Sequence, residues 1–139
     1  MTQVDFYVLP AEDLFQRMHY ACRLTAKALR SGHQVYLHAE NEAMAKQLDD
    51  LLWSYEPSSF IPHSLANDDS PEAVIIGWQN CPGQHNDVLI NLTNEVPEFF
   101  SRFDRISEIV VQEPQCRDAS RGNFKFYRDR GYPLQTHKF

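Results

Sequence analysis

Short apolar runs alternate along this chain with stretches whose apolar residues recur at helical spacing, and that alternation restricts the fold more than any other feature. Val4 to Leu9 is rich in strand formers, and Pro10 stops it. Glu12 and Asp13 then open a helix, where acids suit the positive end of the dipole. Leu14, Phe15, Met18, Ala21, Cys22, Thr25, Ala28 and Leu29 mark its apolar face, and Gly32 is the expected C-cap. Gln34 to Ala39 reads as a second strand. Asn41 caps a second helix with Met44, Ala45, Leu48, Leu51 and Leu52 on its apolar face, ending near Trp53.

Tyr55 to Ser70 reads as irregular, with Pro57, Pro62 and the turn signal Asn67-Asp68-Asp69. Val74 to Ile76 is a short buried strand, Cys81 to Asn86 a turn, and Val88 to Leu92 another strand. Pro97 starts a short helix that turns Phe99, Phe100 and Phe103 inward. Glu108 to Val111 is a fifth strand. Asp118 or Ser120 leads into a last helix that ends near Gly131, Tyr132 and Pro133. This order implies an α/β fold: an open, mostly parallel sheet in three layers, with helices on both faces. The length of 139 residues suits one domain over 1–139.

A fold of this type invites a nucleotide-binding reading, which the residues oppose. Gly32, Gly77, Gly83, Gly122 and Gly131 are scattered, so the fold is expected to be Rossmann-like without a phosphate-binding loop. The first strand runs into Pro10, Glu12 and Asp13, and acids there repel phosphate. His19, His33, His38, His63, His85 and His137 form no metal-ligand spacing, and Cys22, Cys81 and Cys116 form no CxxC pair. No cofactor is expected. The three cysteines fit a reduced, cytoplasmic protein, with Cys22 packed as a small apolar residue. Met1 to Leu9 lacks the basic start of a signal peptide, and runs such as Ala73 to Ile76 fall far short of the ~20 residues a membrane helix needs.

Cys81, His85 and Asp87 hold the residue types of a nucleophilic triad, yet they lie in one predicted turn with no evident oxyanion hole. Two other features read as binding surfaces. Between Leu52 and Leu65, Trp53 and Phe60 stand among prolines, which suits either a covered core or a protein interface. In the last helix, Arg117, Arg121, Lys125 and Arg128 are spaced to share one face, with Phe124 and Tyr127 beside them. Net charge is -6, but 117–139 carries six basic and two acidic residues, +4, leaving -10 elsewhere. That stripe reads either as a solvated basic face or as a groove for an acidic, apolar peptide, since arginine forks match carboxylates.

At these features the sequence resembles the chi subunit family of bacterial DNA polymerase III. Asp5 to Leu9, Leu29 to Gly32, Leu52-Trp53, Ser59 to Leu65, Val88 to Leu92 and Tyr127-Arg128 carry the resemblance, which extends over essentially the whole chain. The resemblance implies a non-catalytic subunit that pairs one-to-one with the psi subunit, and through it with the clamp loader. It also implies binding to the acidic, Phe-ending C-terminal tail of single-stranded-DNA-binding protein, with DNA contact indirect and no membrane contact. Carried over by residue, Trp53 and Phe60, with Pro62 and His63 beside them, face psi. Arg117, Arg121, Phe124, Lys125 and Arg128 take the tail. Phe124 stands where the family often has tyrosine, so no hydroxyl is available there.

Two readings from other classes stand beside this one: a small α/β enzyme using Cys81 and His85, and a direct nucleic-acid-binding module using the basic helix. The charge of -10 outside that helix weakens the second.

Overall fold

Seven strands, β1 (Gln3–Val8), β2 (Val35–His38), β3 (His63–Leu65), β4 (Val74–Gly77), β5 (Val88–Asn91), β6 (Arg105–Val110) and β7 (Leu134–Lys138), build one sheet among the described residues. The computed structural model describes residues 1–55, 63–65, 73–79 and 84–139. The strand order is β3-β4-β2-β5-β6-β1-β7. Every pairing among these strands is parallel. Parallel strands need long return connections, and helices supply three of them: α1 (Leu14–Arg30) after β1, α2 (Glu42–Ser54) after β2 and α3 (Pro114–Asp129) after β6.

Side chains alternate along a strand, so a sheet covered on both sides has two cores. Val35, Leu37, Ile76, Ile90 and Ile109 face Ala21, Cys22, Ala26, Ala45 and Leu48 of α1 and α2. Val4, Phe6, Tyr36, Leu89 and Ile106 face the opposite way, onto Phe99, Phe100, Phe103 and Tyr127. The three-layer α/β fold read from the sequence is present, and the sheet is parallel throughout the described strands. The aromatic turn after Pro97 is a short 3-10 turn, Phe100–Arg102, whose neighbouring phenylalanines all point inward.

The ends of the elements differ from the sequence reading in informative ways. Asp13 is the cap of α1, accepting the Phe15 N–H at 2.8 Å. The helix therefore starts at Leu14, and Leu14 and Phe15, expected on its apolar face, are 46% and 45% exposed in the first turn. Helix α3 starts at Pro114, ahead of both Asp118 and Ser120. Glu113 caps it, accepting from Gln115 N and Cys116 N, and Pro114 costs nothing at the first position, where no N–H partner is needed. Strand β6 begins at Arg105, earlier than Glu108. Strands β3 and β7 were absent from the sequence reading. The three residues of β3 fall in the stretch read as irregular. The polar β7 pairs with β1 alone and is largely exposed.

Two glycines have physical reasons. Gly32 adopts φ 84° after α1, the left-handed conformation a C-cap uses. Gly77 makes room for Tyr36 on the neighbouring strand, because a Cβ there would overlap the buried tyrosine hydroxyl. Cys22 and Cys116 are buried, and burial pushes the Cys22 thiol up to about 12. Among the described residues no cluster of metal-ligating side chains occurs, and no helix is long and apolar enough to cross a membrane.

Candidate functional site

Because α3 begins at Pro114, Arg117 is already helical, and the basic stripe is continuous. At about 100° per residue, Arg117, Arg121, Lys125 and Arg128 span about 80° of the helix surface. Phe124 borders that arc. Tyr127 falls on the same side as Phe124, about 80° beyond the edge of the arc, toward the sheet.

An apolar groove of about 330 Å³ runs between α3 and the sheet, lined by Phe6, Val8, Val110, Ser120, Arg121, Phe124 and Thr136. The strand register explains its floor. Phe6 lies opposite Thr136 and Val8 opposite Val110, so β1, β6 and β7 present one patch. Phe124 closes on that patch, its ring 5.3 Å from Phe6 in edge geometry. Arg121 stands at the rim with its side chain 74% exposed, its Nη1 3.9 Å from the Asp118 carboxylate. Arg117 also faces Asp118, at 3.8 Å, and Arg128 faces Asp129 at 3.4 Å. These pairs are solvated and weak, and they leave the stripe basic. Lys125 is exposed. Of the five predicted residues, Arg121 and Phe124 line the groove. Arg117, Lys125 and Arg128 extend the positive face along the helix beside it.

Tyr127, read from spacing as a neighbour of the stripe, is instead buried. Its hydroxyl donates to Glu108 Oε2 at 2.7 Å. Asn91 Nδ2 donates to the same carboxylate at 3.0 and 3.2 Å. Burial pushes the Glu108 carboxyl up to about 7, against the hydrogen bonds from Tyr127 and Asn91 and the charge of Arg17. Burial, and then Glu108, raise the Tyr127 hydroxyl. This cluster fixes α3 to β5 and β6, so it sets the depth and angle of the groove wall. Sequence reasoning missed it, as it missed the floor residues Phe6, Val8, Val110 and Thr136.

The second predicted surface is described in part. Trp53 lies on the outer side of α2, 55% exposed. Phe60, Pro62 and the side chain of His63 lie outside the described residues. Cys81 does as well. Asp87 is engaged by His33 Nδ1 at 3.1 Å and by the Gln34 N–H at 3.0 Å.

The family profile described as "DNA polymerase III chi subunit, HolC" matches residues 1–135. A DNA polymerase III subunit chi of Pseudomonas aeruginosa is 52% identical over 138 residues, covering 99% of this chain and 97% of the relative. Proteins of the same name from Haemophilus influenzae and Escherichia coli K12 are 33% and 30% identical, over 95% and 98% of this chain and 94% and 97% of their own. With a full-length profile match and relatives aligned end to end, the chain belongs to the DNA polymerase III chi subunit family.

Proposed function

We propose that this chain, acting as a single domain over 1–139, is a non-catalytic accessory subunit of the cytoplasmic DNA polymerase III holoenzyme in DNA replication. In this reading it bridges the psi subunit, and through psi the clamp loader, to the acidic C-terminal tail of single-stranded-DNA-binding protein. The observation that carries the reading is the groove: an apolar trough that ends in Phe124, with Arg121 at its rim and a basic helix face beside it. A tail with several carboxylates and a terminal phenylalanine needs those two chemistries side by side. The ring enters the apolar trough, and the carboxylates meet Arg117, Arg121, Lys125 and Arg128. Contact with DNA is then indirect.

Anisotropy of a labelled tail peptide, titrated with this chain at low and high salt, tests the groove. Binding is expected to saturate, to weaken with salt because exposed charges are screened over about 8 Å, and to require the terminal Phe. Arg121→Glu is expected to weaken it by about tenfold to a hundredfold, the scale of a charge-assisted hydrogen bond lost and a repulsion gained. The fold should survive, since that side chain is 74% exposed. Unchanged affinity in Arg121→Glu would remove the tail from this groove.

The psi surface rests on Trp53, an exposed aromatic of the kind that anchors interfaces. Trp53→Ala is expected to abolish co-purification of psi while tail binding stays at the wild-type level. Full recovery of psi with the variant would place the psi contact elsewhere.

A further inference from the structure

The sheet changes direction between β2 and β5. These strands are parallel neighbours, with His38 opposite Asn91 at their carboxyl ends. From β2 the chain leaves through α2 toward β4 and β3. From β5 it leaves the other way, through the aromatic turn of the opposite face, toward β6. In open α/β sheets such a switch point opens a crevice beyond the strand ends, and ligands bind there.

A cavity of about 320 Å³ occupies this position, and its walls include His38, Glu40, Trp78, Asn94, Glu95 and Glu98. No lysine or arginine lines it among the described residues. The charge is the reverse of a phosphate site. His38 lines the crevice as an imidazole only 8% exposed, and its buried Nδ1 has no hydrogen-bond partner. Buried polar atoms are normally paired. Burial lowers this imidazole to about 4, so at neutral pH it offers a lone pair and no repelling charge. The loop that carries the acids is braced in advance. Asn91 Nδ2 and Thr93 Oγ1 donate to Glu95 O at 2.8 and 3.0 Å. From the other face Arg17 holds Thr93 O at 2.7 Å and Asn94 Oδ1 at 3.2 Å.

We propose that the switch-point crevice is a receptor for an arginine side chain presented by a partner protein. Guanidinium matches each wall: its flat face stacks on an indole, its fork pairs with carboxylates, and its N–H groups donate to a neutral imidazole. The crevice shares no lining residue with the α3 groove.

The test is ¹H–¹⁵N NMR of the full chain titrated up to about 10 mM, a range suited to a single anchored side chain, with a capped Gly-Arg-Gly peptide. Its neutral citrulline counterpart, spermidine and ATP are run in parallel. The arginine peptide is expected to shift the Trp78 indole N–H and the amides of 93–98 saturably. Citrulline should bind at least tenfold more weakly, and ATP should leave those signals in place. Glu95→Gln/Glu98→Gln should weaken the arginine peptide by at least tenfold, while thermal stability and tail binding at α3 remain as in the parent. Absence of localised shifts, equal shifts with citrulline, or seating of ATP would overturn the proposal. Spermidine binding tighter than the arginine peptide would overturn the assignment to a protein side chain.

Discussion

Replacing Arg17 with methionine is expected to cost the fold about 2 to 6 kcal/mol, the scale of leaving two buried carbonyl acceptors unsatisfied. Arg17 is a cation buried to 6% exposure on the α1 side of the sheet. Its Nε donates to Ile109 O at 2.9 Å, Nη2 to Thr93 O at 2.7 Å, and Nη1 to Asn94 Oδ1 at 3.2 Å. Methionine fills much of the same volume, so the loss is polar. Two backbone carbonyls lose a donor, at about 1 to 3 kcal/mol for each one left unsatisfied. The Glu108 carboxylate also loses the charge that favours it. Arg17→Lys should recover little, because one ammonium cannot span three acceptors set around a planar fork. Urea unfolding followed by circular dichroism measures this directly. A loss below about 1 kcal/mol with an unchanged slope would mean that the network is ornamental to stability.

A second large effect concerns pH. In the native state Glu108 keeps its proton up to about 7, whereas an unburied glutamate releases it near 4.5. Between those values the folded chain binds a proton that the unfolded chain has lost. Stability therefore falls as pH rises through the window, by up to about 3 kcal/mol in total. His38 acts in the opposite sense. Burial lowers it from 6.5 to about 4, so in that range the unfolded chain binds the extra proton and stability rises with pH. The two contributions offset each other over pH 4.5 to 6.5, where their windows overlap. Glu108→Gln keeps an acceptor for the Tyr127 hydroxyl and deletes one of the two titrations. The variant is expected to gain on the parent from pH 5 to about pH 7 and then to level off toward pH 8, while its own stability climbs through the histidine window. Urea midpoints at four pH values across this range test it. Parallel profiles for parent and variant would show that Glu108 is ionised in the native state throughout.

The class of fold was legible because alternating strand and helix periods leave few architectures open. What escaped has a physical pattern. Strand β7, Leu-Gln-Thr-His-Lys, carries no alternating apolar face, because it sits at the sheet edge and owes its conformation to backbone pairing with β1. The start of α3 escaped because Asp118 and Ser120 are the more ordinary caps, yet Glu113, five residues before Asp118, accepts the Gln115 and Cys116 N–H groups and Pro114 follows it. Arg17 escaped because a lone arginine in an amphipathic helix reads as a solvated residue. For the groove, spacing within α3 located the charged face, since neighbours on a helix are close in sequence. Its floor was invisible, because Phe6, Val110 and Thr136 meet only through strand pairing across most of the chain. Tyr127 was misplaced for a related reason: a tyrosine beside arginines resembles a surface aromatic until a buried carboxylate appears beneath it.

The position of β1 has a consequence for the order in which this protein can take shape. Its neighbours are Arg105–Val110 on one side and Leu134–Lys138 on the other. During synthesis, the first strand to leave the ribosome has no ladder partner until more than two-thirds of the chain has followed it. Closing loops of that length delays the contacts that reward closure. The nascent N-terminal half must wait with Val4 and Phe6 unsheathed, which makes it a natural client for chaperones that shield apolar segments. The groove floor, built from the earliest and latest strands together, is among the last surfaces of the molecule to exist.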